Sequence, residues 1–483
     1  MITHSPDLNV ARRAADLQHA AHETVDVLVI GGGITGVGVA LDAASRGLSV
    51  TLLESDDLAF GTSRFSSKLV HGGLRYLATG DFATARESAV ERHLLMTVIA
   101  PHLIRPLGQL LPFAPGVSSR QRAAGVVGMS MGDLLRMRAR TPRQTLPPPR
   151  LVSPRTARAL VPSLDARGLR GGMLSFDGQL VDDARLVIAV ARTAASRGAR
   201  ILTRVRALAL RRGGATAEDA VTGERLDLRA RIVVNATGVW AGALDESITV
   251  RPSRGTHIVL DAADLGHPSA ALTIPHEGSI SRYVFALPQT DGRVIVGLTD
   301  EDAPGPVPRV AEPTEGEIDF LLSTLNRVLA APIHRDQVRG AFAGLRPLVD
   351  TGADSTADIS RRHLVAASEA GFVSVLGGKL TTYRRMAQEA VDLATSTARL
   401  DCAPSLTASL RLTDSAAKAP IDDAGGDPHP SRAEIEFAVR AEGAMTAADV
   451  LDRRSRVGLV RADRDRAQPL VEAVLAEVLS EFS

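Results

Sequence analysis

The stretch 26–76 confines the fold before anything else is considered. Its first half runs Val27-Leu28-Val29-Ile30 directly into Gly31-x-Gly33-x-x-Gly36. A short, continuous, β-branched run of this kind predicts a strand buried on both faces of a parallel sheet. The pattern after the glycines is helical, and residues 49–53 predict a second strand ending in Glu54. In that setting Gly31 permits the tight turn, Gly33 clears the approach of a pyrophosphate, and Gly36 lets the helix lie close to the strand. Phosphate would rest on the free N–H groups at the helix start. Glu54 stands where a carboxylate accepts both ribose hydroxyl protons and repels a 2′-phosphate, so FAD or NAD is expected and NADP is not. The glycines alone also occur in turns that hold no ligand; the strand, helix and terminal carboxylate around them point to a dinucleotide site.

The second half, 61–76, is small and hydroxyl-rich and then glycine-rich with cationic side chains. Such a segment can run beneath an extended cofactor, with Thr62, Ser63, Ser67, Lys68, Leu69, His71 and Gly72 as candidate contacts. Residues 66–77 read Ser-Ser-Lys-Leu-Val-His-Gly-Gly-Leu-Arg-Tyr-Leu. This run resembles the signature of the FAD-dependent glycerol-3-phosphate dehydrogenases. The resemblance implies FAD as the cofactor and a Rossmann-like α/β domain beside a mixed or antiparallel substrate sheet, as in D-amino-acid-oxidase-like flavoproteins.

A chain of 483 residues exceeds one simple core, so two or three domains are expected. The expected layout is an N-terminal extension at 1–23 and an FAD-binding domain from 24–105, 165–245 and 335–395. A helical or irregular insertion is expected at 106–164, a substrate-binding domain at 246–334, and a short C-terminal helical domain at 400–483. Lys and Arg number 56 against 55 Asp and Glu, which gives no sign of a nucleic-acid binder. The single cysteine, Cys402, excludes a disulfide framework and any multi-thiolate metal site, and no metal is expected. No secretory signal and no membrane-length apolar run are seen. The expected location is the cytoplasm, with a peripheral seat on the inner face of the membrane left open. A homodimer is likewise left open.

Further along, 81–99 and 180–196 have helical spacing, 199–210 and 230–234 read as strands, and 110–150 reads as helices leading into an irregular connection. In two-domain flavoproteins of the resembled type the strand through Val205 passes the adenine. Ala236-Thr237-Gly238 resembles the same family's second dinucleotide motif. Short strands at 257–260, 283–287 and 294–298 suggest the second sheet. A last strand at 373–376 runs into Gly377-Gly378-Lys379-Leu380-Thr381. There Gly378, Lys379, Leu380 and Thr381 would expose N–H groups and side chains to a flavin edge. The stretch 449–459 resembles the family's C-terminal helical domain in abbreviated form. The final helix, expected at 470–482, carries Glu472, Glu477 and Glu481, an acidic face suited to packing on protein and not on anionic lipid.

The reaction implied by the resemblance is oxidation of sn-glycerol 3-phosphate to dihydroxyacetone phosphate, with a membrane quinone taking the electrons. Arg346, Arg75 and Arg361 are candidates for the phosphate, since planar guanidinium groups bond its oxygens in pairs. His257 and His71 compete as base; a place at the start of a substrate-domain strand favours His257, and His71 is expected at the flavin edge. Lys379 would draw charge onto the reduced flavin or touch substrate. Tyr76 and Thr381 would complete the substrate wall. Three alternatives stand beside this reading: an oxidase using oxygen on the same substrate, an amino-acid or hydroxy-acid oxidase on the same fold, and a flavoprotein without catalysis.

Overall fold

The computed structural model describes residues 4–73, 76, 80–349, 362–414 and 430–482. Two sheets organise them. The first has eight strands, ordered His363–Ala367, Val373–Gly377, Arg225–Asn235, Thr24–Ile30, Val50–Glu54 and Arg200–Thr203, with Val205–Arg211 and Gly214–Asp219 forming an antiparallel extension on Arg225–Asn235. Thr24–Ile30 runs parallel to both its neighbours, which places the fingerprint turn at the carboxyl ends of the central strands. Ligand sites of open α/β sheets form there.

Side-chain alternation along Thr24–Ile30 serves two cores. Val27 and Val29 pack with the helices Ile34–Ser45, Asp183–Ser196 and Tyr383–Ala398 on one face; Val25, Leu28 and Ile30 pack with the extension and Ala20 of helix Val10–His22 on the other. That is why the run has no polar phase.

The second sheet has ten strands, ordered Glu301–Asp302, Val250–Asp261, Arg293–Gly297, Tyr283–Pro288, Ala271–Pro275, Ile104–Pro112, Gly172–Leu180 and Leu69–Val70. Gly340–Val349 pairs with Val250–Asp261 over ten positions, and Arg150–Val152 pairs with Gly172–Leu180. Here the layout corrects the expectation. Ile104–Pro112 lies largely in the segment expected to be helical or irregular, and Gly172–Leu180 and Gly340–Val349 were grouped with the first domain; all three are strands of the second sheet. Pro106 and Gly108 obscured the first of these. Nine cross-strand pairs with Gly172–Leu180 override them, and Pro106 lies outside the two positions that pair with Ala271–Pro275. The strand expected over 199–210 is interrupted at Arg204, whose φ of 58° turns the chain.

The C-terminal helices Arg432–Ala441 and Arg461–Ser480 bury Ile435, Val439, Val471, Val474 and Val478 against each other. Glu477 of the last helix bonds Arg432, and Glu481, directly after that helix, bonds Arg440 of Arg432–Ala441. No helix among the described residues is long and apolar enough to cross a membrane.

Candidate active site

A cleft of about 1300 Å³ runs between the two sheets. Its first end is built by the fingerprint. Gly31, Gly33 and Glu54 line it; Gly36 does not, because a Cβ there would collide with the Gly31 carbonyl, so its role is helix-to-strand packing. Glu54 accepts the N–H of Gly32 at 2.6 Å and that of Asp56 at 2.8 Å. Burial outweighs both bonds and raises its carboxyl to about 7. Val205, Ala236, Thr237 and Gly238 line the same end, and Thr237 Oγ1 donates to Asn235 Oδ1 at 2.7 Å.

The hydroxyl-rich stretch crosses from one sheet to the other. Ser63 Oγ accepts the Ile34 N–H at 2.9 Å, capping the fingerprint helix. Thr62 Oγ1 donates to the Leu345 carbonyl at 2.6 Å, beside Arg346. Ser67 Oγ lies 2.9 Å from His257 Nε2. Thr62, Ser63, Ser67, Leu69 and His71 line the cleft, and the His71 N–H donates to Thr381 Oγ1 at 3.3 Å.

Two residues of the signature turn elsewhere. Lys68, expected to face the cofactor, has φ 55° and sends its ammonium inward to Asp183, 2.7 Å away, and to the Arg64 carbonyl at 3.1 Å. Its side chain is off the cleft wall because a buried carboxylate takes the charge. Gly72 is also off the wall; its N–H donates to Asp177 Oδ1 at 3.2 Å, and the Arg92 guanidinium packs against it. Arg75 and Arg361 lie outside the described residues.

At the other end stand the polar side chains of greatest chemical interest. Arg346 donates to Ser253 Oγ and Asp300 Oδ1, both at 3.2 Å, and to the Thr299 carbonyl at 3.0 Å. These contacts fix the guanidinium while it still lines the cleft. His257 lies on the strand paired with that of Arg346 and stacks on Phe342, ring centroids 4.8 Å apart. Gly297 makes this possible, since a side chain there would strike the imidazole. Burial first, then the charges of Arg346 and Lys68, push the His257 ring down to about 3. It is neutral through the physiological range. Lys379 arrives from the last strand of the first sheet, donates to Ser88 Oγ and sits 4.4 Å from the centroid of the Tyr76 ring. Gly378, Leu380 and Thr381 line the wall beside it.

Arg120, His276, Arg282 and Tyr283 also line the cleft. The sequence reading marked the strand that starts at Tyr283 but gave these side chains no role. Nothing local distinguishes Arg282 from the other arginines; only the sheet pairing brings it to the cleft.

The FAD dependent oxidoreductase family model matches residues 26–384. A Mycobacterium tuberculosis protein named glycerol-3-phosphate dehydrogenase 1 is 48% identical over 518 residues, covering 99% of this chain and 100% of that one. A Synechocystis glycerol-3-phosphate dehydrogenase is 32% identical, covering 94% and 92%. The solved structure of the glycerol-3-phosphate dehydrogenase from Bacillus halodurans, complexed with FAD, superposes with a TM-score of 0.71 over 98% of this chain and 97% of that one; at 23% identity it supports the fold.

Proposed function

The chain belongs to the FAD-dependent glycerol-3-phosphate dehydrogenase family, and on that premise we propose that it oxidises sn-glycerol 3-phosphate to dihydroxyacetone phosphate and passes the electrons to a membrane quinone. The cofactor is FAD. The residues present fit it: the cleft is continuous from Glu54 to Lys379, and Glu54, Ala236 and Thr237 would hold the adenosine half. The helix start at Ile34 would hold the pyrophosphate, and Gly378 to Thr381 the ring. Bound FAD supplies a two-electron acceptor for the hydride at C2.

The observation that carries the reading is Arg346, fixed by Ser253, Asp300 and Thr299 in the same cleft as a neutral His257. The guanidinium would take the substrate phosphate and orient C2. The imidazole would accept the C2 hydroxyl proton, with Ser67 holding the ring on its Nε2 side. A phosphate dianion nearby would raise the basicity of His257, partly offsetting burial. Lys379 would place positive charge where the reduced ring becomes negative.

The quinone assignment draws on relatives named dehydrogenases. Anaerobic titration with sn-glycerol 3-phosphate should bleach the flavin, and a quinone analogue should restore it much faster than air. A flavin that does not bleach would reject the substrate. Rapid return in air alone would make the protein an oxidase.

A further inference from the structure

We propose that Asp183, which lies off the cleft wall, is a positioning residue for the His257 imidazole, acting through residues 66–68. Both of its carboxylate oxygens engage that segment. Oδ2 accepts the Ser66 N–H at 2.9 Å and the Ser66 Oγ–H at 2.7 Å, and Oδ1 takes the Lys68 ammonium at 2.7 Å. Ser66 Oγ in turn accepts the Lys68 N–H at 3.0 Å. Ser67 is thus held between two anchored neighbours, and its Oγ is the atom 2.9 Å from His257 Nε2. Lys68 Nζ also lies 5.5 Å from the centroid of Phe342, the ring on which His257 stacks. The carboxylate therefore reaches the imidazole by two routes, a hydroxyl at its edge and an aromatic ring at its face.

Helix capping does not account for this carboxylate. Asp182 is the N-cap of Asp183–Ser196 and accepts the Arg185 N–H at 3.1 Å. Among the donors to Asp183, only the Ala184 N–H at 3.1 Å belongs to the helix. Stability does not account for it either. Asp183 and Lys68 are both buried, and a buried ion pair adds little over apolar side chains of the same volume. What the bonds add is a fixed backbone at 66–68, where Lys68 holds a φ of 55° that is unfavourable for a lysine. The ammonium bonds to Asp183 and to the Arg64 carbonyl hold it there. The consequence for catalysis rests on His257 as the base; the positioning of the ring does not.

The test uses the full-length FAD-loaded protein and compares two replacements of the buried pair. Lys68→Met with Asp183→Leu removes both charges and the acceptor for Ser66; Lys68→Met with Asp183→Asn removes both charges and keeps an amide oxygen there. Both lose the Lys68 charge, so the comparison isolates the bonds to Ser66. The leucine variant should hold its denaturation midpoint. It should nevertheless lower kcat for sn-glycerol 3-phosphate about tenfold or more, with KM within about twofold of the parent because the bonds of Arg346 are untouched. The asparagine variant should recover kcat to within about threefold of the parent, a neutral acceptor making the weaker bond. Adding Ser67→Ala to the leucine variant should lower kcat no further, since both changes act on one hydrogen bond. Should the leucine variant fail to retain FAD, Ser66→Ala, which removes only the hydroxyl bonds to Asp183 and Lys68, carries the same readouts. Ring-nitrogen NMR on isotope-labelled histidine reads the placement without turnover, the His257 signals being identified by their loss in His257→Gln. The leucine variant and Ser67→Ala should move those signals alike, and the asparagine variant should leave them near the parent position. Signals that stay at the parent position in the leucine variant would overturn the positioning role. So would equal kcat in the two paired variants where His257→Gln itself loses turnover. Displaced signals with kcat kept in the leucine variant and in His257→Gln alike would support the positioning and overturn His257 as the base instead.

Discussion

Asp57 holds Arg454 through both carboxylate oxygens, at 2.5 and 2.9 Å, across 397 positions of sequence. Arg453 Nε joins the same carboxylate at 2.6 Å, and Asp449 bonds both Arg453 and Arg204 at 2.6 Å. The neighbouring arginines outweigh burial and hold the Asp449 carboxyl down at about 2. Asp57 lies three residues past Glu54, so the C-terminal helical region, through the helical turn Val450–Arg454, grips the loop that shapes the adenosine end of the cleft.

Arg454→Ala should therefore destabilise the protein by about 3–5 kcal/mol, the usual result of removing one partner from a buried ion cluster. FAD retention should fall with it. Arg461→Ala, whose side chain is 93% exposed beside Asp465, should change stability by less than about 1 kcal/mol. Denaturation midpoints and flavin release after dilution measure both; equal effects of the two substitutions would contradict the clamp.

What the sequence made legible was local. Gly31, Gly33, Gly36 and Glu54 belong to one strand–helix–strand unit whose geometry is set by near neighbours, and Ala236 to Gly238 ends a strand paired directly with it. The Asp57–Arg454 pair was not legible, because no local pattern couples residues so distant. Lys68 was misplaced for a related reason: its direction follows from a left-handed backbone and from Asp183, 115 positions away. Ile104–Pro112 looked unlike a strand because it lacks β-branched residues apart from Ile104, and long-range pairing decides its conformation.

Glu54 gives FAD binding a pH dependence. Its carboxyl is raised to about 7, so acidification below that value converts the ribose-accepting carboxylate to the neutral acid. FAD affinity should fall as pH drops from about 7, by roughly tenfold for a lost charge-assisted bond. The flavin-free protein should show the opposite trend in stability from this group: the folded pKa lies above the ordinary 4.5, so stability rises as pH falls from 7 toward 4.5. Glu54→Gln should flatten both trends, which fluorescence titration of released FAD and denaturation across pH would reveal.

Arg346 should matter to capture more than to retention of flavin. Arg346→Ala should lower kcat/KM for sn-glycerol 3-phosphate by roughly a hundredfold, mainly through KM. Arg346→Lys should recover only part of that, because a lysine cannot keep the bonds to Ser253, Asp300 and Thr299 while offering a planar fork to phosphate. An unchanged KM in the alanine variant would place the phosphate elsewhere in the cleft.

His257 has a pKa of about 3 in the fold against 6.5 in the unfolded chain, so between those values only the unfolded chain takes up the proton. Its contribution to stability is present above pH 6.5 and is lost as pH falls toward 3, on the order of a few kcal/mol across the window. His257→Gln should shrink that acid-side slope. If the imidazole is also the base, the same substitution should lower kcat about a hundredfold or more while flavin stays bound. In the free enzyme, the pH profile of kcat/KM should then show no limb near 6.5 belonging to this ring, since it is already neutral there. A variant that loses the stability slope but keeps kcat would make His257 a packing residue on Phe342 and move proton abstraction to His71, which lines the same cleft.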